Sequence, residues 1–282
     1  MDKRKLELSD FYKLKTIFTN NGWQSKFGQE YALKNFWELI TNLNNEQKEL
    51  ILDLCSRYLW VSMPEYMGLL LETIKTIEED KLANCQRIIV FPIINPSDAK
   101  KVKSSSSLIY LFKSAYFGWP NYENISFVVI DSYKDFSKER FKEGDLLFLV
   151  DDYVGSGETL NSTLSEIRKN TSLKNGIINV LALAAQLETL DGLNKSGISW
   201  YVKHKRNKGI SDNYNSPILE MQIQLMKEIE KLIIEGNYFS FGYENSEALV
   251  TMHRTPDNTF PIFWKDHRKG GKIYKAPFPR IT

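Results

Sequence analysis

The apolar positions along this chain change period several times, and each change marks an element. From Leu146 to Val150 the run is continuously apolar between polar flanks, as in a strand buried on both faces of a parallel sheet. From Glu158 onward Leu160, Leu164 and Ile167 recur at i, i+4 and i+7, one face of a helix. Arg87–Ile93, Ile125–Ile130, Gly176–Ala185 and Ile198–Val202 read as further strands, with helical stretches such as Leu108, Leu111 and Phe112 between them. Strands alternating with helices predict a parallel α/β sheet with right-handed crossovers.

The two ends of the chain follow other patterns. Residues 1–82 read as helices, with Phe36, Leu39, Ile40 and Leu43 on one apolar face and Leu50, Ile51, Leu54 and Tyr58 on another. Asn44 and Gln47 form a capping pair between them. Ser62-Met-Pro-Glu65 opens a helix carrying Leu70, Ile74 and Ile77. Near the C-terminus, Ser216-Pro217 opens a helix that Gly236 ends, with Met221, Leu225, Ile229 and Leu232 on its buried side. Pro256-Asp-Asn258 lies between two apolar runs and predicts two short strands joined at a turn. The expected division is therefore an N-terminal helical region (1–82), an α/β core (83–215), and a helix and strand-turn extension packing on the core (216–282).

Composition adds limits. The 282 residues are 42% hydrophobic and 26% charged, as in a globular protein, and the net charge of +2 is too small to argue for nucleic acid. Local basic clusters exist at Lys203–Lys208 and across residues 251–282. Cys55 and Cys85 are too few for a disulfide framework or zinc site and read as buried thiols. No apolar run reaches the ~18–20 residues of a membrane helix, and no signal-peptide core follows Met-Asp-Lys-Arg-Lys, so the expected location is the cytoplasm, away from membranes.

The chemistry concentrates after the central strand: Asp151 and Asp152, then Gly155-Ser156-Gly157, Glu158 and Thr159 at a helix start. Ligands of open α/β sheets bind at the carboxyl ends of strands, and helix N-termini attract phosphate. Three common loops fail. Leu160 stands where a dinucleotide fingerprint needs glycine, no lysine between Asp145 and Arg168 serves a P-loop, and Val154 and Glu158 replace the glycines of a nucleophile elbow.

Val150-Asp151-Asp152-Tyr153-Val154-Gly155-Ser156-Gly157-Glu158-Thr159 resembles the phosphoribosyl pyrophosphate (PRPP) motif of type I phosphoribosyltransferases. Gly155 replaces a common hydroxyl residue, and Glu158 puts a carboxylate in a phosphate loop. The resemblance implies a parallel sheet of that family's topology. Asp151 and Asp152 would hold the ribose hydroxyls and touch Mg²⁺ through water or ribose. Gly155, Ser156, Gly157, Glu158 and Thr159 would hold the 5′-phosphate.

The family's pyrophosphate loop follows the first core strand. Here Lys100, Lys101, Lys103 and Ser104 are its candidates, and the serine run also reads as a flexible linker. The C-terminal segment, with His253, Arg254, Asn258 and Phe278-Pro-Arg-Ile281, resembles a bacterial phosphoribosyltransferase-like branch of anti-phage conflict systems, retrons among them. It implies a toxic glycosyltransferase effector held by partner proteins or nucleic acid, such as a reverse transcriptase with its RNA and DNA. The alternatives are a module that senses PRPP or a nucleotide without turnover, and a nucleic-acid-bound module on the same fold.

Overall fold

The computed structural model describes residues 3–98, 104–115, 122–174, 177–234 and 239–280. Helices α1 (Lys3–Asn20), α2 (Gln29–Thr41), α3 (Asn45–Ser56), α4 (Tyr66–Ile74), α5 (Glu79–Ala83), α6 (Ser104–Ala115), α7 (Tyr133–Phe136), α8 (Glu158–Ile167), α9 (Leu187–Lys195) and α10 (Ile218–Glu230) follow the chain. The strands are β1 (Leu59–Trp60), β2 (Arg87–Pro92), β3 (Ser126–Val129), β4 (Asp145–Val154), β5 (Ile178–Gln186), β6 (Ser199–Arg206), β7 (Val250–Thr251), β8 (His267–Lys269) and β9 (Lys272–Tyr274).

These elements form two compact units, Met63–Arg206 and Met1–Ser62 with Asn207–Thr282. The expected boundaries at 82 and 215 differ from this division. Residues 63–82 belong with the sheet, since α4 packs on β5, β6 and α6. The two chain ends instead share one core, because a helical region alone does not bury its aromatic residues. Trp23 and Phe36 stack at 6.1 Å, and Phe278 lies 5.6 Å from Phe36 and 5.1 Å from Tyr58. β1 and β7 pair in parallel in this terminal unit, and the Asn44/Gln47 capping box opens α3.

The sheet unit is a five-stranded parallel sheet in the order β3-β2-β4-β5-β6. Helices α8 and α9 join Ile89, Phe91, Leu147 and Leu149 in one apolar layer, while α4 and α6 pack on the sheet from outside that layer. β4 is buried almost throughout, which explains its unbroken apolar run. Cys55 and Cys85 are free and buried, as expected.

Three local expectations change. Ser216 does not cap α10, because Pro217 occupies the cap position without a side-chain bond, and Met221 is exposed while Met226 is buried. Gly236 lies outside the described residues. The strand pair expected around Pro256–Asn258 does not form: only Val250–Thr251 is a strand, and Pro261–Phe263 is a 3₁₀ turn. Pro256 and Pro261 withhold backbone donors that an antiparallel ladder requires.

Candidate functional site

Strand β4 runs beyond its neighbour. β2 pairs with it only as far as Pro92 opposite Val150, and a last bond joins the Ile93 amide to the Val150 carbonyl at 2.9 Å. From Asp151 to Val154 the strand continues against β5 alone, with Asp151 opposite Ala182 and Tyr153 opposite Ala184. The acidic pair thus lies inside the strand rather than at its end, on the stretch where β2 has departed. This is the topological switch point, because α6, which follows β2, and α8, which follows β4, belong to different layers of the sheet.

Two threonines fix the chain on either side of this overhang. Thr163 of α8 is fully buried, accepts the Ile94 amide at 3.1 Å and donates back within its own helix to the Thr159 carbonyl at 2.9 Å. The Tyr133 hydroxyl also donates to the Ile94 carbonyl. The exit of β2 is therefore tied to the helix that follows the motif. On the other side, the Thr189 hydroxyl of α9 donates to the Gly155 carbonyl at 2.6 Å and fixes the loop.

The motif residues divide by environment. Asp151 is half-buried, and its Oδ1 accepts the amide of Asp152 at 2.9 Å. Asp152 is 3% exposed, and its Oδ2 accepts the Tyr66 hydroxyl of α4 at 2.8 Å. Gly157 adopts the left-handed region at φ +82° and caps α8 without a side-chain bond. A Cβ there would stand 2.9 Å from Cγ2 of Thr189. Ser156 and Glu158 are exposed, and the Glu158 amide reaches Ser156 Oγ at 3.5 Å. The start of α8 thus receives no side-chain bond from its cap residue, an arrangement that favours an anion.

Of the remaining candidates, Lys100, Lys101 and Lys103 lie outside the described residues, and so does the side chain of Ser104. His253 and Arg254 are exposed in the terminal unit. Asn258 is buried, and its amide donates to Ser246 Oγ at 2.8 Å and to the Tyr243 carbonyl at 3.5 Å, so it is committed to local structure. Sequence reasoning missed Tyr66, Thr163 and Thr189. Only Thr163 left a trace, as a hydroxyl beside Leu164 on the apolar face of a helix.

Compared with known proteins, residues 22–280 match the model of the PRTase-CE family, and no curated protein matches the chain.

Proposed function

The chain belongs to the PRTase-CE family, a phosphoribosyltransferase-like family, and from that premise we propose that residues 151–159 bind PRPP or a nucleotide. The observation that carries this reading is the pairing of an acidic strand overhang with an uncapped helix start at the switch point. Asp151, half-buried and acceptor-only when ionised, suits the ribose hydroxyls. Asp152 supports it from inside the wall, its position set by Tyr66. Ser156, Thr159 and the amides around Gly157 receive the 5′-phosphate.

Among the described residues, no three His, Cys, Asp or Glu side chains gather as a metal site. Asp151 and Asp152 fit Mg²⁺ only in company with the ligand's own oxygens and water. Bound there, Mg²⁺ would neutralise charge on departing pyrophosphate. In a transfer, the bond from C1 of the ribose to the pyrophosphate oxygen breaks, its electron pair leaves with pyrophosphate, and an acceptor lone pair closes on C1. The protein's own contribution is to position the sugar and exclude water.

The resemblance of the C-terminal segment supports the finer reading of a toxic effector in a bacterial anti-phage system such as a retron. A module that senses PRPP or a nucleotide without turnover is the second reading, favoured by the Glu158 carboxylate at the phosphate loop and by the commitment of Asp152 to Tyr66. Calorimetry with PRPP and Mg²⁺ tests the shared premise. We expect binding in the parent, a loss of at least tenfold in Asp151→Asn, and equal thermal melts. Unchanged affinity in that variant would refute the ribose role. Pyrophosphate release with candidate acceptors then separates turnover from sensing.

A further inference from the structure

The terminal unit contains a cavity of about 660 Å³, built without any residue of the 151–159 motif. That volume lies within the ~300–1,000 Å³ of ordinary small-molecule sites. Its described walls carry Arg254, Lys265, Lys275 and Arg280 against only Asp257 and Asp266. Tyr31, Ile234, Phe239 and Pro279 supply apolar surface beside these charges.

The charges are not evenly matched. Asp266 is spent locally: its Oδ2 accepts Lys275 Nζ at 2.8 Å and its Oδ1 accepts the Ala276 amide at 3.1 Å. Asp257 pairs with Arg280 at 3.2 Å, and the Arg280 guanidinium also lies 5.5 Å from the centre of the Trp264 ring. Arg254 forms no ion pair or hydrogen bond with a described residue. Loss of solvent contact and then the charge of Arg280 press its pKa down, and Asp257 opposes them. Lys265 Nζ stands 5.2 Å from the Trp264 ring centre and 5.9 Å from that of Phe239. The Arg254 and Arg280 guanidiniums thus line one cavity whose nearest carboxylate, Asp257, is already paired with Arg280, at the edge of an aromatic wall. An incoming dianion would relieve this local excess of positive charge. Guanidiniums bind phosphate oxygens through paired N–H donors, and the aromatic wall suits a flat ring attached to that phosphate.

We propose that this cavity is a second ligand site, which takes a nucleoside monophosphate with its phosphate between Arg254 and Arg280 and its base against Phe239 and Tyr31. The site is independent of PRPP binding at the motif, and the two readings fail separately.

The test is calorimetry on the full chain with adenosine 5′-monophosphate, inorganic phosphate and ribose 5-phosphate as probes. The measurements use Asp151→Asn, in which the motif no longer competes for the nucleotide, with Arg254→Glu and Arg254→Lys added to it, each with a thermal melt. Arg254 is exposed, so its variants should melt with the parent. We expect the nucleotide to bind Asp151→Asn at least tenfold more tightly than either simpler phosphate. Adding Arg254→Glu should cost tenfold or more of that affinity, and adding Arg254→Lys should retain part of it. Unchanged nucleotide affinity on adding Arg254→Glu, or no nucleotide binding to Asp151→Asn, would overturn the second site. Equal affinity for inorganic phosphate and nucleotide would overturn the nucleoside assignment.

Discussion

At Asp152 the motif and the fold compete for one carboxylate. Its Oδ2 holds the Tyr66 hydroxyl inside the sheet unit, so Tyr66→Phe leaves a buried oxygen short of a donor. That substitution should cost about 1–3 kcal/mol in denaturant unfolding; a cost below the error of the measurement would deny the bond any structural weight. At Gly157, alanine meets both a left-handed backbone, costing ~1–2 kcal/mol, and Cγ2 of Thr189. Thr189→Ser removes that methyl group and keeps the hydroxyl that holds Gly155. Gly157→Ala should therefore destabilise the Thr189→Ser background less than the parent, as a double-mutant cycle of thermal melts can show. Glu158 is exposed, and Glu158→Gln should change PRPP affinity less than threefold, under ~0.7 kcal/mol. A tenfold gain would mean that the carboxylate opposes phosphate, and would favour a module that has lost PRPP. At this scale the sequence displayed the acids and glycines in order. It concealed Tyr66 and Thr189, because their roles depend on contacts from distant helices.

Among the elements, the long buried strands and the helix after the motif were legible, since an unbroken apolar run and a 3.6-residue period have few other readings. The β8–β9 hairpin was not foreseen, although Gly270-Gly271 gave its turn signal, and both glycines take positive φ as a two-residue hairpin turn needs. This hairpin carries His267, fully buried and stacked at 5.3 Å on Tyr274, with neither ring nitrogen bonded to a described residue. Burial lowers its pKa from the ordinary 6.5, against the pull of Asp266 and Glu38. The folded state thus binds fewer protons than the unfolded state. The neutral ring's contribution is whole above about pH 6.5 and is lost as pH falls through the lowered value. His267→Phe preserves an aromatic stack and removes the titration. The parent's melting temperature should fall more than the variant's between about pH 7 and pH 5.5. Parallel melting curves across that range would show that His267 does not set the acid sensitivity of the fold.

Over the whole molecule, the parallel sheet followed from strand–helix alternation, whereas the strand order and its switch point came only from the structure. The division into units did not. Helical faces near residue 40 and aromatic residues near 278 each show that something apolar must be covered, but no local pattern shows that they cover one another. The same limit hid the cavity of the terminal unit, whose cations are scattered across residues 254–280. No helix among the described residues is long and apolar enough to cross a membrane. A phosphate held at the start of α8 is tested most directly by hydrogen exchange of the parent with and without PRPP and Mg²⁺. PRPP should slow exchange at the amides of Ser156 to Leu160, and this protection should disappear in Asp151→Asn. Binding that leaves those amides unchanged, or protects only the terminal unit, would contradict a phosphate site at α8.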